Sequence, residues 1–237
     1  MKLFVSVLTP TYNRRRFLPS IIECYKAQTY PKDRMEWIIL DDGEDCVRDI
    51  FEGPLVAGIP NIRYIRKEPK LLIGAKRNIL NAEAKGDILV AMDDDDYYCP
   101  ERVAHVITKF AANPKVELAG SSELYIYYSD IKKIYKLGPY GPNHATNGTM
   151  ALRKSYALSH KYDETVTHAE EKSFLDNYSH PMVQLDPFKV MLVMSHSQNT
   201  FDKKKLRENP SPYVNPTGMG IEAFIKSSKL RAFFKTA

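Results

Sequence analysis

Cysteine is scarce in this chain. Its 237 residues hold three, Cys24, Cys46 and Cys99, an odd number with no CxxC pair. That pattern speaks against a zinc or dithiol redox site and against a disulfide framework, and the three are expected as buried thiols. Long hydrophobic runs are absent as well. The opening "MKLFVSVLTP" is too short to span a bilayer and lacks the small-residue cleavage pattern of a secretory signal. It reads as a first strand, and the protein as cytoplasmic. Glycine is missing where a dinucleotide site needs it: the turn after that strand holds Thr9, Pro10, Thr11, Tyr12, Asn13 and Arg14 in place of GxGxxG. A nicotinamide or flavin enzyme is therefore not expected. No internal repeat is found, and "NGT" at Asn147 reads as a turn.

What is present is an alternation of apolar runs and helical stretches. Strands are expected at residues 3–9, 36–40, 62–65 and 87–92, and helices at 15–28, 74–86 and 100–114. Pro100 stands at the first position of the last helix and Gly86 stops the one before it, as helix punctuation requires. Apolar runs without clean alternation, separated by helices, predict an α/β fold with a mostly parallel sheet covered on both faces. After residue 115 the strands become short, aromatic and alternating, with a turn at Ser129-Asp130, which predicts a smaller antiparallel portion. Residues 168–179 read as a helix and 188–195 as the last strand.

The net charge of +5 is unevenly placed. Residues 201–237 carry eight Lys or Arg against three acids, which accounts for all of it and leaves the first 200 residues neutral. Pro210, Pro212, Pro216, Gly218 and Gly220 give the following stretch a linker composition. The expected division is a catalytic domain at 1–209 and a linker with a basic segment at 210–237, leading towards a further domain or a membrane surface. A neutral body argues against a broad nucleic-acid footprint, so no nucleic-acid partner is expected.

The chemistry gathers at the strand ends. In open α/β sheets ligands bind outside the carboxyl ends of the strands. Three polar clusters fall there: "TPTYNR" after the first strand, "DDGED" after the second, and Asp93, Asp94, Asp95 and Asp96 after "ILVAM". Two carboxylates about 4 Å apart repel by roughly 4 kcal/mol at an effective dielectric near 20, so four together call for a cation. Mg²⁺ or Mn²⁺ suits oxygen ligands and commonly takes one or two protein carboxylates plus substrate phosphates. A solvated loop capping the next helix would explain one or two aspartates but not four.

Together, "TPTYNR", "DDGED", "GAKRN", "AMDDDDYYCPER", "YDETVTHAEE" and "SHSQNT" follow the order seen in family 2 glycosyltransferases of the GT-A fold, which the chain resembles over residues 3–200. The resemblance implies a Rossmann-like nucleotide-binding sheet and metal-dependent, inverting transfer of a hexosyl or deoxyhexosyl group from a nucleotide sugar, a UDP-sugar first, to a hydroxyl of a glycan or glycoconjugate. It places the aspartate run on the DxD motif, with Asp95 as the direct metal ligand and Asp93 or Asp94 at the ribose; Asp93 is a second candidate for the metal. It sets Asp42, or else Asp41, at the base N3–H, which uracil donates and cytosine does not. Thr9, Pro10 and Tyr12 wall the nucleoside and Arg77 lies near base and diphosphate, although Lys76 stands where the family has alanine. His196 matches a late histidine near diphosphate or metal, and Thr149 and Met150 fall in the acceptor region. Glu171 matches the catalytic base, one methylene longer than the usual aspartate, with Glu170 as the alternative.

Two other readings compete. A sugar nucleotidyltransferase also uses acids and Mg²⁺, but it needs a glycine-rich basic loop that "TPTYNRRRF" does not provide. A non-catalytic basic module for nucleic acid or membrane rests on the tail alone.

Overall fold

A computed structural model describes residues 3–167, 169–199, 201–209 and 211–236. The apolar runs form β1 (Val5–Thr11), β2 (Met35–Asp41), β3 (Ile62–Arg66) and β4 (Ile88–Ala91), parallel neighbours in the order β3-β2-β1-β4. Every residue of β1 and β2 is buried, which is why their sequences show no alternation. Strand order reverses at β1, so the crevice between the carboxyl ends of β1 and β4 is the switch point where such sheets bind ligands. Three helices alternate with these strands: α1 (Leu18–Ala27), the short α2 (Arg48–Phe51) and α3 (Ile73–Glu83). The strand β1 runs two residues beyond its expected end and includes Pro10, which has no N–H to give. Pairing with β4 stops at Leu8 while pairing with β2 continues to Thr11, so proline sits where one neighbour has already left.

Beyond β4 come β5 (Tyr97–Tyr98), α4 (Arg102–Ala112), β6 (Leu118–Gly120), β7 (Leu124–Tyr128) and β8 (Lys133–Leu137). They are followed by β9 (Ala151–Arg153), α5 (Lys154–Ser159), α6 (Glu171–Phe174), β10 (Met182–Gln184) and β11 (Met191–Ser195). The strands β9, β6 and β10 extend the first sheet past β4, and β9 runs antiparallel to β4 and β6. A second sheet is built on β7, β8, β11 and β5; it is mostly antiparallel, except that β11 runs parallel to β7. The two sheets share a core centred on Trp37, which stacks on Tyr25 at 4.4 Å and donates from Nε1 to Thr9 Oγ1 at 2.9 Å.

Three expectations need correction. The helix expected at 168–179 is only α6, four residues long: Asp176, Asn177 and Tyr178 follow it in left-handed conformation and end it; His168 lies outside the described residues. Cys24 and Cys99 are buried as expected, but Cys46 is exposed.

The third correction concerns the tail. Among residues 201–236 are α7 (Lys204–Glu208), β12 (Val214–Pro216) and α8 (Ser228–Phe234). The strand β12 pairs with β8, and Ile221, Phe224, Ile225, Leu230 and Phe234 are buried in the same core, so 211–236 is part of the body and not a linker. Its prolines read as a linker because β12 is an edge strand, where proline is tolerated. Part of the basic excess is used internally: Arg207 holds Asp130 through two hydrogen bonds of 2.7 Å, and Lys203 Nζ donates to Met194 O at 2.9 Å. Ile225, fully buried, gives a sensitive test. Ile225→Val should cost about 1 kcal/mol in chemical denaturation, and no change would show that the segment does not pack.

Candidate active site

The aspartate run leaves β4 through a turn at Asp94 and Asp95, and burial alternates along it. Asp93 and Asp95 are partly open while Asp94 and Asp96 are buried. Asp96 turns into the second sheet and accepts from the Met194 amide at 2.7 Å; burial pushes its carboxyl up to about 7, against the pull of Lys203. Asp94 is raised well above the carboxylate range by burial and by the charge of Asp95, and its Oδ2 has no hydrogen-bond partner among the described residues. Asp95 goes the other way. Burial opposes its charge, but the His196 hydrogen bond, Lys203 and Arg14 hold it well below the usual range. His196 Nε2 lies 3.2 Å from Asp95, with the Asn199 amide at 3.3 Å and Arg14 at 3.7 Å. His196 Nδ1 accepts from the Gln198 amide at 3.2 Å, while Nε2 faces both Asp95 and, at 2.9 Å, the Asn199 amide nitrogen, so His196 and Asn199 together hold Asp95 in place.

Among the described residues no group of three or more histidine, cysteine or carboxylate side chains is arranged to hold a metal ion. The donor set nevertheless fits a hard divalent cation that takes one or two protein ligands and completes its shell from phosphates. Asp95 is ionised and partly open, and the unpartnered, buried Asp94 Oδ2 lies beside it in the chain.

Arg77 joins the aspartate run to the start of α6. The glycine of "GAKRN" explains its position: a Cβ on Gly74 would lie 2.0 Å from the Asp163 carbonyl, so only glycine lets α3 press against that segment. Arg77 then reaches Glu170 Oε1 through Nε at 2.8 Å and Asp93 Oδ1 through Nη1 at 3.0 Å. Burial opposes its charge, but these two carboxylates raise its pKa further. With its amide oriented to satisfy both neighbours, Asn147 accepts from Arg77 and donates to Tyr162 Oη at 2.6 Å. Glu170 is thus neutralised, whereas Glu171, half-buried in the first turn of α6, has no ion-pair partner among the described residues. Burial and the adjacent Glu170 push Glu171 up to about 7.

The second strand places two acids differently. The Asp41 carboxylate is filled: Gly43 N at 2.9 Å, Val47 N at 3.2 Å, Tyr64 Oη at 2.5 Å and Arg66 at 3.3 Å surround it, and it shapes the loop after β2. Asp42 accepts from Leu71 N at 2.7 Å and pairs with Lys76 Nζ at 2.5 Å, an interaction the sequence did not disclose because 34 residues separate the partners. Burial pulls the Lys76 pKa down, with Asp42 opposing.

Several residues expected to face a ligand do not. Thr9 is fully buried and its hydroxyl donates to Met92 O at 2.6 Å, so it ties β1 to the end of β4; Pro10 is buried too. Tyr12 is the partly open member of that trio, with Lys70 Nζ 4.0 Å and Lys76 Nζ 5.4 Å from its ring centroid. Thr149 and Met150 are buried, and both of their carbonyls accept from Arg102 at 2.8 Å. Asn147, Tyr162 and Asn199 join the site although none was assigned a role: "YDETVTHAEE" and "SHSQNT" contain two of them, and "NGT" marked the third only as a turn, which residues 147–149 do form.

Acidic side chains bridged by basic ones thus gather at the switch point of the α/β sheet, where such folds bind ligands. The Glycosyl transferase family 2 profile matches residues 6–160, and the chain belongs to that family. An uncharacterized glycosyltransferase of Haemophilus influenzae is 30% identical over 112 residues, and the chain spans 36% of that relative's length. A second from the same organism is 25% identical over 262 aligned positions, covering 97% of this chain and 80% of its own. Staphylococcus aureus TarS residues 1–349, in complex with UDP-GlcNAc, superposes with a TM-score of 0.64 at 18% identity, over 83% of this chain and 60% of that one. The mannosyltransferase PcManGT from Pyrobaculum calidifontis, in complex with GDP-Man and Mn²⁺, gives 0.68 at 13% identity, over 90% and 66%. These likenesses establish the fold as α/β and GT-A-like. A further likeness to the N-terminal glycosyltransferase domain of a chlorella-virus protein that glycosylates the capsid, which the same motifs suggested, gains no support from these relatives.

Proposed function

We infer that the chain is a metal-dependent, inverting glycosyltransferase that uses a UDP-sugar and a glycan hydroxyl. The observation that carries this reading is the linkage Asp93–Arg77–Glu170 beside an unpaired Glu171, which holds a nucleotide-side acid and a candidate base in one rigid frame. Asp95, with Asp94 or Asp93 beside it, would hold Mn²⁺ or Mg²⁺, which when bound stabilises the departing diphosphate. Tyr12 and Asp42 would border the base; because the Asp42 side chain is fully buried and paired with Lys76, it would accept the uracil N3–H only once that pair opens. Glu171 removes the proton of the attacking hydroxyl. Arg77 keeps Glu170 paired, so that only one of the two adjacent glutamates is free to act.

UDP release from a panel of UDP-sugars, with the anomeric configuration of the product read by proton NMR, tests the reading. Metal-dependent release with inversion is expected. A retained configuration, or release unaffected by EDTA, would overturn it.

A further inference from the structure

A row of aromatic rings runs from the neighbourhood of Glu171 across the surface of the smaller sheet. Tyr178 stacks on His144 at 4.7 Å, His144 meets Tyr140 at 4.8 Å, and Tyr140 meets Tyr213 at 5.2 Å. Three separate segments supply these rings, so their alignment does not follow from one element's periodicity. Tyr140 is 38% exposed and Tyr213 46%, unusual for large side chains in mutual contact. None of the three tyrosine hydroxyls has a hydrogen-bond partner among the described residues, so each is free to bond a ligand that displaces water. Burial lowers the His144 pKa, which favours a neutral ring, and its Nδ1 has no partner.

The backbone is committed to this arrangement. Asp176, Asn177 and Tyr178 have φ of 45°, 54° and 61°, and a bulky residue in the left-handed region is costly. That turn follows α6 directly and brings Tyr178 within the electrostatic reach of Glu171 and Glu170. The opposing loop is fixed as well: Gln184 Nε2 donates to Pro142 O at 2.7 Å, Tyr140 N to Ser122 O at 3.2 Å, and Gly138 N to Tyr213 O at 2.9 Å.

We propose that Tyr178, His144, Tyr140 and Tyr213 form a carbohydrate-binding shelf that seats the acceptor as an oligosaccharide, its terminal sugar at Glu171 and its further units on Tyr140 and Tyr213. The proposal rests on the glycosyltransferase reading above. Pyranose rings present C–H faces that stack on aromatic rings and hydroxyls that pair with free phenol groups, and a rigid ring row supplies both with little entropy to lose. Apolar protein or lipid partners fit less well, because the unpartnered hydroxyls would be left without bonds inside a dry interface.

Retention on an immobilised panel of tri- to hexasaccharides and their monosaccharides tests the shelf. The wild-type chain should be retained by at least one oligosaccharide and more weakly by the matching monosaccharide. A Tyr140→Ala/Tyr213→Ala double variant should lose about tenfold of that retention, while Tyr140→Phe/Tyr213→Phe, which keeps the rings, loses less. UDP affinity in the same variants reports the donor half and the fold. Retention by no oligosaccharide, or undiminished retention in the alanine variant, would overturn the shelf. Tyrosine-dependent retention without UDP binding would leave the shelf standing and refute the donor assignment.

Discussion

Replacing Glu171 by glutamine should reduce sugar transfer by about 10²–10⁴-fold while leaving UDP affinity near that of the wild type. The carboxylate removes a proton only in the reacting complex, so its loss falls on kcat and not on donor binding. Glu170→Gln should behave differently. It frees one side of Arg77, which is held at 2.8 Å by Glu170 and at 3.0 Å by Asp93, and so disturbs the donor-side acid as well. A wild-type turnover in Glu171→Gln, measured with saturating donor, would remove this residue from the mechanism.

The wild-type pH profile carries the same assignment. With the Glu171 carboxyl pushed up to about 7 by burial and by Glu170, the base is protonated below that pH. The rate should therefore rise with pH and level off above about 7, and the rise should vanish in Glu171→Gln. The sign for stability is opposite. A carboxyl raised from 4.5 binds more protons folded than unfolded, so its contribution is present below about 4.5 and is lost as pH rises through about 7.

Arg77→Ala should destabilise the protein by about 3–5 kcal/mol, because it strands Asp93 and the buried Glu170 without a counter-charge. For a chain of this size that corresponds to a fall in Tm of roughly 10 °C. Arg77→Lys should recover only part of it, since an ammonium cannot hold two carboxylates in the fork geometry of a guanidinium. A double change, Arg77→Met with Glu170→Gln, should be milder than Arg77→Ala because it removes charge from both sides. Thermal melts of the three variants check this. An Arg77→Ala melt within a degree or two of wild type would show that the bridge does not exist in solution.

These sites differ in how far the chain itself discloses them. The parallel half of the sheet is readable because fully buried strands write themselves as unbroken apolar runs, and "DILVAM" followed by four aspartates marks a strand end with a ligand. Alternation of the run is readable only in part: that Asp96 turns inward depends on the amide of Met194, 98 residues away. The same limit hides the Asp42–Lys76 pair and the Arg77–Glu170 bridge, since side-chain pairing across elements leaves no local pattern. Thr9 differs for a related reason. The resemblance sets it at the nucleoside wall, but β1 continues to Thr11 and buries it between Trp37 and Met92. The tail carries a linker's composition because proline and glycine act locally, while the burial of Ile225 and Phe234 is decided by the second sheet. For α6, the helical reading of 168–179 holds only over Glu171–Phe174, because the left-handed turn at Asp176–Tyr178 stops it.

The central claim is a metal-dependent nucleotide site at the carboxyl ends of β1, β2 and β4, and calorimetric titration of UDP with Mn²⁺, with EDTA, and into Asp95→Ala tests it most directly. The account predicts binding that requires Mn²⁺, falls by more than about tenfold in Asp95→Ala, and exceeds that of CDP under the same conditions. UDP binding of equal strength with EDTA or in Asp95→Ala, or no binding of UDP at all, would contradict it.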